Sequence, residues 1–125
     1  MTIKFKELAE YYKQRYPLTF TNSQSGAGLM ERYEKAWSIA KEAATVLKHD
    51  FRARKVAVFG SLTDPSAFTP WSDIDIAVWG VPEDRFFAAV GAVTGLTLDF
   101  KIDLVDATDC RESLKKSIEF EGIEI

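Results

Sequence analysis

The chain has 125 residues, 46% of them hydrophobic, and a formal net charge of −3. That is enough for one globular domain with a real core. The acidic balance argues against broad charge-driven binding to nucleic acid. The single cysteine, Cys110, excludes an internal disulfide framework and a cysteine-rich zinc site, and reads as a partly buried thiol.

In chain order, Phe5, Leu8 and Tyr12 recur at helical spacing over residues 3–16, and Pro17 stops the run. Tyr11, Tyr16 and Phe20 add to this aromatic stripe, which is expected to be core or a docking surface. Residues 19–28 are small and polar and read as a loop or linker. The chain therefore divides into an N-terminal helix and linker, 1–28, and a main domain, 29–125. A long helix is predicted from Leu29 to His49, with Leu29, Tyr33, Ala36, Ala40, Ala43 and Leu47 as its apolar stripe. Lys48 and His49 suit the negative end of its dipole, so His49 reads as a surface or capping residue.

Strands are predicted at 55–59, 74–79 and about 100–105. Residues 62–72, with Pro65 and Pro70, form a loop with room for one helical turn after Ser61. Pro82-Glu83-Asp84 opens a helix over 83–93, with Phe86, Phe87, Val90 and Val93 as its packed face. A last helix spans about 109–120, with Leu114, Ile118 and Cys110 turned inward. The tail from Gly122 to Ile125 either adds a short strand or frays. This order of elements defines a small α/β (α+β) domain. No apolar run is long enough to span a membrane, and a cytoplasmic protein is the default expectation.

The chemistry-bearing residues lie between 60 and 103. The first strand ends in Gly60-Ser61, and after eleven intervening residues comes Asp73-Ile74-Asp75-Ile76 of the second. Alternate residues of a strand share a face, so the two carboxylates stand roughly 6 to 7 Å apart along the chain. Carboxylates that close repel unless one is protonated or a cation lies between them. Magnesium suits such oxygens, typically binding one or two carboxylates together with substrate phosphates. Asp103 in the third strand can join them if that strand neighbours the second, and it is the natural candidate for a base acting on an acceptor hydroxyl. Gly60 lets backbone N–H groups approach a phosphate, and the Ser61 hydroxyl can hold another of its oxygens. Trp71 and Trp79 flank the acidic strand and are expected in core or interface packing, with a base pocket as the alternative.

This pattern resembles the nucleotidyltransferase superfamily whose best-known member is DNA polymerase β. Its signature is an apolar residue, Gly-Gly/Ser, a gap of about nine to thirteen residues, then Asp-apolar-Asp/Glu-apolar. More closely, residues 29–125 resemble the minimal nucleotidyltransferases often paired with a HEPN-domain protein, a helical RNase. The resemblance rests on the Ala-rich helix, Phe59-Gly60-Ser61, the Ser72 to Val78 strand and Lys101-Ile102-Asp103-Leu104-Val105-Asp106. It implies a nucleotidyltransferase fold with a small mixed sheet flanked by helices. It implies Asp73, Asp75 and Asp103 as catalytic residues and ligands of one or two Mg2+ ions, and Gly60 and Ser61 on the nucleotide phosphates. The implied substrate is a nucleoside triphosphate, most simply ATP. The implied role is that of an antitoxin that adenylylates its RNase partner.

Many members follow Gly-Ser with Arg-x-x-Gly. Here the chain reads Leu62-Thr63-Asp64-Pro65, so a basic contact is either absent or supplied by Arg52, Arg54, Lys55 or Lys101. The alternative reading is a binding module that neutralises its partner by contact. A small-molecule acceptor ranks third, since no second substrate domain is evident. A homo-oligomer is compatible with the sequence.

Overall fold

The computed structural model describes residues 24–125. The expected helix at 3–16 and its aromatic stripe lie outside the described residues. Helix α1 runs from Gln24 to Asp50, strand β1 from Lys55 to Phe59, and β2 from Ile74 to Trp79. A 3-10 turn at Glu83–Arg85 leads into α2, Phe86–Thr94. Strand β3 covers Ile102–Asp106, α3 Glu112–Glu121, and β4 Ile123–Glu124.

The four strands form one mixed sheet in the order β3-β2-β1-β4. β1 is antiparallel to both β2 and β4, whereas β2 and β3 are parallel. β2 is central and apolar on both faces, with Ile74, Ile76, Ala77 and Val78 buried. Helices α1 and α2 cover one face. There Tyr33, Trp37, Ala40, Ala43 and Leu47 of α1 meet Val56, Val58, Ile74, Ile76 and Val78, joined by Ala89 and Val93 of α2. Helix α3 covers the other face more thinly, where Ile118 meets Phe59, Ala77 and Ala107. Leu114 and Cys110 pack at the edge of that smaller cluster, so the thiol is half-buried as expected. The tail does add a strand, since Ile123 pairs with Val58.

Three expectations shift. α1 starts at Gln24 rather than Leu29, so residues 24–28 are helical and not loop. Once the Ala-rich body is nucleated, each further residue adds a hydrogen bond, which carries the helix through poor formers such as Gly28. Phe87 is 88% exposed instead of packed. The 3-10 turn resets the phase of α2, so that Phe86, Ala89 and Val93 face inward and Phe87 points away. Trp71 is 85% exposed, on the loop before β2, and is not core.

The segment between β1 and β2 is pinned rather than loose. A 3-10 turn covers Gly60–Thr63 and buries Leu62 completely. The Tyr33 hydroxyl donates to the Leu62 carbonyl at 3.1 Å, and Tyr33 meets Phe68 edge-on with ring centroids 5.0 Å apart. Asp64 caps its own turn by accepting from the Ser66 N–H and hydroxyl at 3.0 and 2.6 Å. Leu62→Ala should therefore cost about 2–5 kcal/mol of unfolding free energy, as large-to-small core changes do, measured by urea denaturation.

Candidate functional site

The site follows from strand register. Asp75 stands opposite Phe59 on β1 and opposite Asp103 on β3. β1 therefore ends where β2 and β3 begin, and Gly60-Ser61, Asp73, Asp75 and Asp103 meet at one end of the sheet. Asp75 shares the α3 face with Ala77 and Trp79. α3 reaches over Ala57 and Ala77 but leaves the carboxylates half-exposed.

Asp75 is the electrostatic centre. Its pKa is raised from 3.8 to about 6 by burial, then by the negative charges of Asp103 and Asp73. Asp103 lies within hydrogen-bonding range of Asp75, and Glu121 adds a weaker push. Asp75 and Asp103 thus form a close pair with Asp73 at the strand entrance. Among the described residues, no three His, Cys, Asp or Glu side chains are gathered tightly enough to hold a metal ion by themselves. The donor chemistry still fits a divalent cation. The pair is all-oxygen and carries a repulsion that a cation relieves, and magnesium needs only one or two carboxylates when phosphates supply the rest.

Gly60 is demanded twice over. Its φ is +75°, a left-handed conformation, and a β-carbon there would collide with Asp75 Oδ2. The turn therefore brings backbone directly against the carboxylate. The Gly60 N–H donates at 3.0 Å to Oε1 of Glu121, the last residue of α3. Glu121 was not singled out in the sequence. Only the packing of α3 shows that it lies at the site, although its position one residue before the Gly122-Ile123 return was a usable signal.

The basic residues separate clearly. Lys101 Nζ lies 3.5 Å from Asp103 Oδ1 and belongs to the site. Lys55 pairs with Trp79 at the other end of the sheet, four residues and about 13 Å along the strand from Phe59. Arg52 and Arg54 precede it, so these three are not placed to replace the missing arginine. Lys55 Nζ instead sits 4.5 Å above the Trp79 ring. A groove of about 280 Å3 opens there, lined by Lys55, Ala57, Trp79, Ile118, Glu119, Gly122 and Glu124, and it contains none of the acids described above. His49 is exposed and pairs with Asp50 at 2.9 Å, a surface role.

The sequence matches no protein-family profile and no curated protein. Solved structures do match. A chain of a toxin-antitoxin crystallised with AMP-PNP aligns with a TM-score of 0.55 at 22% identity, covering 67% of this chain and 70% of that one. The toxin-antitoxin MntA-HepT aligns with a TM-score of 0.53 at 20% identity, covering 70% and 69%. A mutant of that complex gives 0.56 at 20%, covering 68% and 70%. At these identities the likeness establishes the fold alone, a nucleotidyltransferase fold shared with a chain of each of these complexes. It agrees with the resemblance carried by Gly60-Ser61 and Asp73-Ile74-Asp75. Among the described residues, no helix is long and apolar enough to cross a membrane.

The raised pKa of Asp75 sets a pH dependence. A carboxyl that binds its proton more tightly when folded contributes stability below pH 4, and that contribution is lost as the pH rises through about 6. Allowing for partial exposure, the loss is on the order of 1 kcal/mol. In metal-free buffer Asp75→Asn should therefore melt higher than wild type at pH 7.5. The advantage should shrink as the pH falls toward 4, followed by thermal unfolding across that range.

Proposed function

We propose that this chain is a Mg2+-dependent nucleotidyltransferase that moves AMP from ATP onto a hydroxyl of a partner HEPN-domain RNase, and so acts as an antitoxin in the cytoplasm. One observation carries the reading. The register of β1, β2 and β3 places a strand-ending Gly-Ser turn beside Asp73, Asp75 and Asp103 at a single open sheet end. The likeness to chains of toxin-antitoxin structures, one of them with AMP-PNP, supports the nucleotide and the class of partner.

In this reading the Asp75–Asp103 pair, with Asp73 at the strand entrance, would hold the divalent ion together with substrate phosphate oxygens. When bound, it neutralises triphosphate charge and stabilises the leaving pyrophosphate. The Gly60 N–H and the Ser61 hydroxyl and N–H hold phosphate oxygens on the other side. The acceptor hydroxyl oxygen attacks the α-phosphorus, the bond to pyrophosphate breaks, and Asp103 takes the hydroxyl proton. Lys101 beside Asp103 contributes positive charge near the phosphates.

Incubation with α-labelled ATP, Mg2+ and the purified RNase should label the RNase and add an adenylate-sized mass to it. Asp73→Asn and Asp75→Asn should each lower the transfer at least about a hundredfold while leaving the fold intact. Transfer that persists at wild-type rate in either variant would remove the assignment.

The contact-only module is favoured by one observation. The Gly60 N–H, which a phosphate would need, already serves Glu121. If the enzyme reading holds, a triphosphate must displace that carboxylate, and Glu121→Ala should bind Mg-ATP about five- to tenfold more tightly, the equivalent of one charge-assisted hydrogen bond. Calorimetry distinguishes the readings, since a pure contact module binds no Mg-ATP in either form.

A further inference from the structure

Arg32 projects from α1 toward the entrances of both acidic strands. Its Nη2 donates to the carbonyl of Ser72, the residue immediately before Asp73, at 3.3 Å. Its Nη1 donates to the carbonyl of Asp99, four residues before Asp103, also at 3.3 Å. The guanidinium lies 4.1 Å over the ring of Phe100. One planar fork thus ties together the two loops that deliver the carboxylates. The Ile74 N–H, which donates to Lys101 O at 3.0 Å, joins the same two segments from the sheet side.

The fork is an expensive way to hold two loops. Arg32 Nε is buried without a hydrogen-bond partner among the described residues, and an unpaired buried donor costs free energy. What the guanidinium supplies instead is geometry: two donors at fixed separation, one for each strand entrance. Lys35, one turn further along α1, pairs with the Asp99 carboxylate. That contact holds the β3 loop alone and does not reach Ser72.

We propose that Arg32 is a positioning residue that sets the placement of Asp73, which lies just outside the β2–β3 ladder, relative to the Asp75–Asp103 pair, and thereby the affinity of this acidic end for a divalent ion with bound nucleotide. The proposal rests on the nucleotidyltransferase reading above. Residues that orient metal ligands without touching the metal typically carry ten- to a hundredfold of its affinity. Lysine presents a point charge and cannot reproduce the fork, so Arg32→Lys is not a conservative change here.

The test is a titration of Mn2+ into the protein with saturating AMP-PNP, followed by calorimetry, on wild type, Arg32→Ala, Arg32→Lys and Lys35→Ala. Folding of each is checked by circular dichroism at the titration temperature. The expected result is a Mn2+ midpoint about tenfold higher in both Arg32 variants and within twofold of wild type in Lys35→Ala. Arg32→Lys retains the charge and the stem, and decides the matter if Arg32→Ala does not fold. Midpoints within twofold of wild type for the Arg32 variants overturn the proposal. So does an equal shift in Lys35→Ala, which would make the effect one of general loop stability. A wild-type protein that shows no metal-dependent nucleotide binding defeats the parent reading and this one with it, whereas wild-type binding with unshifted variants defeats this one alone.

Discussion

Everything at the site depends on carboxylates held side by side by backbone pairing. Asp75 faces Asp103 across the β2–β3 ladder. That register is fixed by hydrogen bonds and by the apolar residues on the opposite face, because a slip of one residue would send Ile74, Ile76 and Val78 to the wrong side. The repulsion cannot relax by strand movement. Together with burial, which is the larger cause, it shows instead in chemistry, as a proton held on Asp75 at a pH where an ordinary aspartate has lost it. The glycine requirement has the same origin. With Asp75 locked opposite Phe59, a β-carbon on Gly60, the residue after β1, would run into the Asp75 carboxylate oxygen.

The unequal cladding of the sheet decides where this tension is exposed. One face carries the long helix α1, with Trp37, Tyr33 and Leu47 fully buried. That side supplies most of the apolar burial from which the domain derives its stability. The other face is paved with Ala57 and Ala77 and covered by α3. Small side chains let α3 lie close over the middle of the sheet, and its C-terminal end brings Glu121 beside Gly60. The carboxylates lie just beyond its cover, partly desolvated yet reachable from solvent. The pinned segment from Leu62 to Phe68 completes the arrangement by tying the Gly-Ser turn to α1, so that the turn and the acids are referred to the same rigid helix.

Much of this was legible in the sequence because it is local. Alternation in Asp73-Ile74-Asp75-Ile76, a glycine ending an apolar strand, and a third aspartate amid apolar neighbours each announce themselves within a few residues. The strands at 55–59 and 74–79 fall where their patterns put them. What was not legible depends on pairing or on phase. Arg52, Arg54 and Lys55 looked near the site because they are near in sequence, but an antiparallel β1 sends them to the far end of the sheet. Phe87 looked packed until a 3-10 turn shifted the helical phase. Glu121 and Arg32 are long-range members. The first lies 61 residues from the N–H it serves, and the second 40 from Ser72, and no short motif encodes either contact.

The charge distribution leads one step further. With Asp73, Asp75, Asp103 and Glu121 at one sheet end, the basic side chain paired with the cluster is Lys101, itself largely exposed. The Gly60 N–H, the donor best aimed at an incoming anion, is bonded to an anion of the chain itself. A free triphosphate would meet net negative charge and a donor already in use. A triphosphate that arrives with a divalent cation meets the reverse, since the cation relieves the Asp75–Asp103 repulsion and offsets the loss of the Glu121 contact. On the proposed reading, the arrangement would therefore favour a metal-bound anion over the bare one. On that reading no arginine after Gly-Ser is required, because the selectivity would reside in where the negative charge has been placed.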